Sequence, residues 1–483
     1  MKKIIKHVLT NKIILYLSSR YITYILHFFV SMYIAAELGP SNYGVWSFLF
    51  LIYLYFNTID LGIPHSVQVY LVQNKNDKTV SADYEKTGRT LMGILALSCL
   101  TVVLYYSLGG IKDAQELNVG WLLYGMCFCS FMNYFNNLYD RIYRSKNRLF
   151  ELAFKQTSVV IIIAIAALFF HDEQLLAGLV ISYILWSVLS FLVFSFRGGI
   201  DYSGHYSRQK ASQIMKKGIF LFLFHASFSL IILSTRTLIK IYFPIEEFGI
   251  FSFAYVMGHA LYNCILAFST VTITKLLDRF HSSDRDVVIS TVSVVRVNYV
   301  TLFHGVMYLA IMAFPFIISF MPKYTNALLP MNLCALMMLL YTNSYGYASF
   351  LIATNKEKKL AFLGISSLVI NILLGLYLIN VLHLSYEYVV LATMASYMYY
   401  SYLCAYYGRK NIGLSKSFIT VLLDGFPLRL LIPFCIAVAV SIYGNQTWTV
   451  LPLLVFVMLN IKAIKSICRT IKKLIVNPNI VDI

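Results

Sequence analysis

The chain has 483 residues, of which 59% are hydrophobic and only 12% charged, roughly half the charged share of a soluble globular protein. That excludes a water-soluble domain. The net charge of +18 raises a nucleic-acid partner, but the placement of the basic residues along the chain gives the charge another meaning, and no nucleic-acid partner is predicted.

Apolar stretches of about 20 residues recur from end to end, each able to cross a hydrocarbon core roughly 30 Å thick as a helix. Segments such as 221–233 are apolar on every side and lack the alternation of a membrane β-barrel strand. The predicted class is therefore an all-α polytopic membrane protein. Lys2, Lys3 and Lys6 ahead of an apolar run imitate a signal peptide, but the run at 13–36 is too long and has no clean cleavage site, so it is predicted to remain as the first span. About fourteen transmembrane helices follow in order: 13–36, 43–72, 88–109, 117–140, 151–170, 174–196, 218–243, 248–274, 294–320, 325–353, 360–380, 386–407, 428–443 and 447–464.

Of the 39 Lys and Arg, Lys112 and Lys323 fall in one set of loops, and Arg20, Arg236 and Lys240 fall inside spans. All the others, Arg141, Lys155, Arg296, Arg409 and Arg429 among them, fall in segments that the alternation of spans places on the opposite side. Basic residues collect in cytoplasmic loops, so both termini are predicted to be cytoplasmic and the +18 is mainly topology. The outer loops carry Glu37, Asp172, Glu173, Glu246, Glu247 and Glu387 instead.

The chain also matches itself. Tyr43-Gly44 and Ser47-Phe48, after the first span, align with Phe248-Gly249 and Ser252-Phe253 after the seventh. Ala153-Phe154 and Ser158, at the fifth span, align with Ala361-Phe362 and Ser366 at the eleventh. The two offsets nearly agree, as expected of a parallel repeat of six spans. The predicted organisation is an N-terminal lobe, 1–205, a C-terminal lobe, 206–407, and two extra helices with a basic cytoplasmic tail, 408–483.

A charge near the bilayer centre costs about 2.5 to 3.5 kcal/mol even on the most lenient scale, so Arg20, Asp60, Arg236 and Lys240 are the most informative positions. Two readings stand. In one, Arg20 and Asp60 form a buried pair that fixes helix packing while Lys240 reaches to the interface. In the other, the groups line a water-filled cavity between lobes and hold an anionic headgroup, a task suited to the planar fork of Arg. Three cations and one anion leave a surplus of two positive charges, opposite in sign to a pyrophosphate diester. His225, His259 and His304 either pack by hydrogen bonds or couple transport to protons. Asn57, Asn263, Asn298 and Asn371 read as bridges between helices, with sugar contacts as the alternative.

Other signals are weaker. Asp284-Arg285-Asp286 imitates an element of nucleotide-sugar transferases, but its loop is too short for a nucleotide-binding domain. Glu246 and Glu247 are adjacent, unlike the opposed carboxylates of glycosidases. There is no phosphate loop of the G-x-x-x-x-G-K-[ST] type. The eight cysteines lack metal-ligand spacing, and Tyr397, Tyr399, Tyr400, Tyr402, Tyr406 and Tyr407 read as an interfacial belt. No enzyme activity, catalytic residue, metal or cofactor is predicted.

Arg20, the turn Leu38-Gly39-Pro40-Ser41-Asn42-Tyr43-Gly44 and Asp60-Leu61-Gly62 together resemble the start of O-antigen (Wzx-type) flippases. These form the polysaccharide transporter branch of the multidrug/oligosaccharidyl-lipid/polysaccharide exporter (MOP) superfamily. The resemblance implies two six-helix lobes around a cationic cavity that opens alternately to each side of the bacterial inner membrane. It implies a polyprenyl-pyrophosphate-linked oligosaccharide as cargo for lipopolysaccharide or similar surface-polysaccharide biosynthesis, with a polysaccharide polymerase and a chain-length regulator as further partners. By the family's pattern Arg20 and Asp60 belong to the first-lobe cavity and Arg236 to the second. Fourteen spans depart from the twelve common in this branch and match peptidoglycan-precursor flippases. A multidrug/cation antiporter of the same superfamily and a membrane-embedded polymerase or ligase are the alternatives. The first would favour an acidic cavity and the second a large outer loop, and the sequence has neither.

Overall fold

A computed structural model describes residues 12–109, 119–280 and 284–476. Lys2, Lys3, Lys6 and Lys112 lie outside the described residues, as do the side chains of Cys264, Lys275 and Arg279. The described residues are almost wholly helical and divide into two compact units, Met1–Leu233 and Ser234–Ile483. Nine helices, or ten if one bent pair is a single span, are long and apolar enough among the described residues to cross a membrane.

The N-terminal unit begins with α1 (Lys12–Thr58), sharply bent at Gly39, whose φ of 67° and ψ of 171° precede Pro40. Only glycine adopts that conformation readily, and Pro40 removes the amide that would continue the helix. The bend is the predicted turn between the first two spans. The second predicted span, 43–72, does not run through: it stops at Thr58 and restarts as α2 (Ile63–Gln73), with Gly62 in the left-handed region and Pro64 in the first turn. Then come α3 (Lys78–Ala96), α4 (Ser98–Ser107), α5 (Gly120–Ser145), α6 (Leu149–Phe169), α7 (Asp172–Phe196) and the first part of α8 (Arg208–Tyr242). The core forms where Tyr134, Leu138, Ile142 and Tyr143 of α5 meet Val67, Met92, Leu152 and Phe194.

The stretch between α7 and α8 is tied down. Tyr143 Oη donates to the Phe194 carbonyl at 2.7 Å and accepts from the Gly199 amide at 3.1 Å. The fully buried Glu85 receives Lys146 Nζ and, at 2.7 Å, the Asp201 amide. Lys210 pairs with Asp83 at 2.6 Å. These bonds fix where α8 enters the unit.

In the C-terminal unit the rest of α8 leads to α9 (Ile245–Phe280), α10 (Arg285–Val295), a π turn (Arg296–Val300) and α11 (Thr301–Ser319). After a 3-10 turn come α12 (Leu328–Thr342), α13 (Tyr347–Ala353), α14 (Glu357–Asn380), α15 (Val390–Ile412), α16 (Phe418–Gly425), α17 (Leu428–Tyr443) and α18 (Leu451–Val476). α12 is the centre: every residue from Met331 to Leu340 is buried, packed on α9, α11 and α15. The tenth predicted span, 325–353, is another broken one, interrupted at residues 343–346. α16 was not predicted, being a short amphipathic turn bent 69° from α17. α17 and α18 pack together, and α18 lies on α11.

Three basic residues read as loop charges lie inside helices. Arg141 is in α5, Lys155 in α6 is 8% exposed and Arg296 in the π turn is 7% exposed. Lys155 is met by the Asn136 carbonyl at 3.3 Å and by Asp140 at 4.0 Å, and Arg296 by backbone carbonyls. Tyr397 and Tyr400, assigned to an interfacial belt, are buried at 5% and 1% exposure. The Asp284 carboxylate caps α10, accepting from the Asp286 amide at 2.9 Å, and Arg285 donates to the Gly413 carbonyl at 2.8 Å. The Asp284-Arg285-Asp286 run is thus a helix start. Among the described cysteines, Cys99, Cys127, Cys129, Cys334 and Cys404 are buried free thiols.

Candidate functional site

A broken helix leaves backbone amides and carbonyls that must be satisfied inside the protein or open onto a polar cavity. The break between α1 and α2 is met largely from inside, the Ile59 carbonyl accepting from Tyr134 Oη at 3.2 Å and the Asp60 carbonyl from the Ile63 amide at 3.1 Å, and it borders a polar cavity. Gly62, at φ 67°, lets α8 come so close that a Cβ there would lie 2.2 Å from the Gly218 carbonyl oxygen. Asp60 Oδ1 accepts from the Gly62 amide at 2.8 Å, closing the turn. Beside it is a cavity of about 400 Å³, lined by Asp60, His65, Arg141, His225 and Ser229 together with the end of α1 at Asn57 and Thr58.

Asp60 and Asn57 are engaged, while other polar groups of this cavity keep bonding capacity. Asp140, beside Arg141 on α5, is held by Arg144 at 3.1 Å and Lys155 at 4.0 Å. That leaves Arg141 to face the cavity, where among the described residues it makes one long hydrogen bond, 3.5 Å, to Gln68 Oε1. The rings of His65 and His225 lie 5.5 Å apart. Asn57 Oδ1 accepts from Asn133 and Asn137, both at 2.7 Å, so it bridges α1 to α5 as predicted of the span asparagines. A guanidinium with free donors, two imidazoles and a ring of small polar groups suit an anionic oxygen ligand.

The structure brings together only some of the predicted site residues. Asp60 and His225 share the cavity. Among the described residues Asp60 makes no ion pair with Arg20, which corrects the packing pair offered by the sequence: Arg20 donates instead to Tyr24 Oη at 2.6 Å and lies over that ring. Arg236 is 3% exposed, with its guanidinium 5.7 Å from the Phe248 ring centre and 5.6 Å from that of Tyr255, and it reaches Ser252 Oγ at 3.4 Å. Lys240, one turn on, is half-exposed. His259 bonds to Asn263 at 2.9 Å. His304 is 1% exposed between Tyr308 Oη at 3.0 Å and Asn343 Oδ1 at 3.3 Å, a packing histidine. Asn371 bridges α14 to Ser234 and Thr235 of α8, each at 3.0 Å.

Sequence reasoning missed His65 and Arg141. His65 follows Pro64 in what read as one continuous span, and Arg141 stood in a basic run that topology explained. The available signal was the left-handed turn chemistry of Asp60-Leu61-Gly62 followed by Pro64, which marks a helix break and hence a cavity.

A family model described as "Polysaccharide biosynthesis protein" matches residues 9–274. The chain belongs to this family. No curated protein matches this member by sequence. Its fold is shared with solved transporters of the MOP superfamily. "Lipid II flippase MurJ, inward closed conformation" aligns with a TM-score of 0.70 at 15% identity, covering 95% of this chain and all of that one. An inward-facing multidrug resistance MATE transporter aligns at 0.64 and 15% identity, covering 81% of this chain and 94% of that one. An outward-facing MATE transporter aligns at 0.55 and 15%, covering 82% and 95%. The family member is thus a multi-pass membrane protein of the MOP transporter fold.

Proposed function

We propose that the protein is a flippase that moves a polyprenyl-pyrophosphate-linked oligosaccharide, an O-antigen or similar surface-polysaccharide repeat unit, from the cytoplasmic to the outer leaflet of a bacterial inner membrane. The observation that carries this reading is Arg141, a guanidinium with uncommitted donors in a polar cavity at a helix break. The family description supports a polysaccharide role, and a lipid II flippase spans the full length of the fold. In this reading Arg141 holds pyrophosphate oxygens, Thr58 and Ser229 offer neutral contacts, and Asp60, His65 and His225 respond to the arriving charge. Arg20 and Lys240, both half-exposed, add positive charge along the route. Arg236 can join them only in a conformation that opens its aromatic slot, and His259 and His304 serve packing in the state seen here. The lipid tail stays in the bilayer throughout. No step requires catalysis.

A cation antiporter is the competing reading for this fold. The cavity disfavours it: its one carboxylate is bonded to its own turn, and a guanidinium shares the space. Deleting the gene and locating the lipid-linked oligosaccharide separates the readings. Unpolymerised units on the cytoplasmic face are expected of a lost flippase. Accumulation on the outer face would indicate a polymerase, and unchanged surface polysaccharide with raised drug sensitivity would indicate an antiporter.

A further inference from the structure

The corner between α16 and α17 holds a second cavity, of about 250 Å³, bordered by the π turn and the end of α15. Three guanidinium groups line it, from Arg296, Arg409 and Arg429, against the single carboxylate of Asp424. That carboxylate is already engaged by Arg409 Nη1 at 2.8 Å, by the Tyr347 hydroxyl and more distantly by Arg296 Nε at 3.9 Å. Arg296 is spent on the backbone. It donates to the carbonyls of Asn343 at 2.8 Å, Tyr345 at 3.3 Å and Gly425 at 3.1 Å, and to that of Asp424.

Arg429 is different. It is half-exposed, it stands near enough to Arg296 to be repelled by it, and among the described residues its guanidinium has no hydrogen-bond partner. It projects from the first turn of α17, whose Pro427 cap offers no side-chain acceptor. The cavity therefore carries two positive charges in excess, one with all its donors free. Apart from Ser293 and Tyr347 the rest of the wall is apolar, supplied by Val292, Val297, Val300, Leu414 and Leu430 among others. A small phosphate ion would satisfy the guanidinium and leave that wall wet. An amphiphile with a phosphodiester at one end satisfies both.

We propose that this cavity binds the head of an anionic phospholipid, with its phosphate on Arg429 and Arg409 and the start of its acyl chains against the valine wall. The site is separate from the α1–α2 cavity and does not depend on the transport reading. A cationic pocket between membrane helices on the side that the basic loops assign to the cytoplasm is where anionic lipids are concentrated.

The test uses the full-length protein purified in a neutral detergent and titrated with phosphatidylglycerol, phosphatidylcholine or inorganic phosphate, with bound lipid read by native mass spectrometry and by thermal shift. Phosphatidylglycerol is expected to bind and stabilise, and phosphatidylcholine and phosphate to do neither. Arg429→Gln is expected to weaken phosphatidylglycerol about tenfold, the worth of one charge-assisted hydrogen bond, and Arg429→Lys to recover part of the loss. Lys416→Gln, which removes an exposed charge outside the cavity, is expected to change nothing. Among the described residues no hydrogen bond or ion pair uses the Arg429 guanidinium, and the bond from Asn460 goes to its backbone carbonyl, so both of its variants should fold as the wild type does. Equal phosphatidylglycerol affinity in wild type and Arg429→Gln would overturn the proposal, as would an equal loss in Lys416→Gln or an equal shift with inorganic phosphate alone.

Discussion

At residues 59–62 in the N-terminal unit and 343–346 in the C-terminal unit, a span predicted to be continuous stops and restarts, each time at a glycine with positive φ, Gly62 at 67° and Gly346 at 87°. What fills the space beside the glycine differs. Next to Gly346 runs the stem of Arg296, so close that a Cβ would lie 2.9 Å from its Cγ, and the guanidinium takes up the carbonyls that the break releases. Next to Gly62 runs only the backbone of α8. The released groups there are met by Asp60, by Tyr134 Oη and by the turn's own backbone, and beside them lies a cavity whose arginine makes one long hydrogen bond among the described residues. One break is closed from within and reads as architecture; the other keeps polar capacity in reserve and reads as a site.

The sharpest way to break this contrast is Arg296→Met. It strands several backbone carbonyls while Asp424 keeps Arg409 and Tyr347, and removing one member of such a network typically costs about 3–5 kcal/mol. The expected result is a large fall in monodisperse protein on fluorescence-detected gel filtration. Wild-type stability would mean that the 343–346 break does not rely on Arg296. Gly62→Ala comes next. It forces a side chain into a left-handed conformation and against the Gly218 carbonyl, and should cost about 1–3 kcal/mol in detergent-resolved thermal melts. Asp60→Asn keeps the oxygen that caps the Gly62 amide and changes only the charge. Stability should stay within about 1 kcal/mol of wild type while surface-polysaccharide output falls. Output lost only in proportion to protein level would make Asp60 structural. Smallest in its effect on export is Asn57→Ala, which removes the acceptor of two neutral hydrogen bonds between α1 and α5, each worth about 1 kcal/mol, and should lower the melting temperature modestly with export retained.

Part of the N-terminal site was legible in the sequence, though not this contrast, for reasons that also explain what was not. Asp60 and His225 stood out because a polar ionisable group within an apolar stretch has few innocent explanations. Gly39-Pro40 announced its bend through backbone chemistry. Arg141 and Arg296 were hidden by the rule that found the topology: in a basic run next to a span, each charge is accounted for by its neighbours, and nothing local says which one turns inward. His65 was hidden because hydropathy does not register a short break. The Arg20–Asp60 pair failed because proximity along antiparallel spans does not set side-chain direction, and Tyr24 lay one turn from Arg20 on the same helix. α16 escaped because eight residues are too few for a period to declare itself.

Replacing Arg141 tests the central claim most directly. Arg141→Gln and Arg141→Lys, expressed to wild-type level in cells lacking the native gene, would be assayed for the membrane face that carries lipid-linked oligosaccharide. The glutamine variant should strand unpolymerised units on the cytoplasmic face while remaining folded, and the lysine variant should restore part of the flux. Normal export by folded Arg141→Gln protein would contradict the assignment of the α1–α2 cavity as the site that holds the cargo's pyrophosphate.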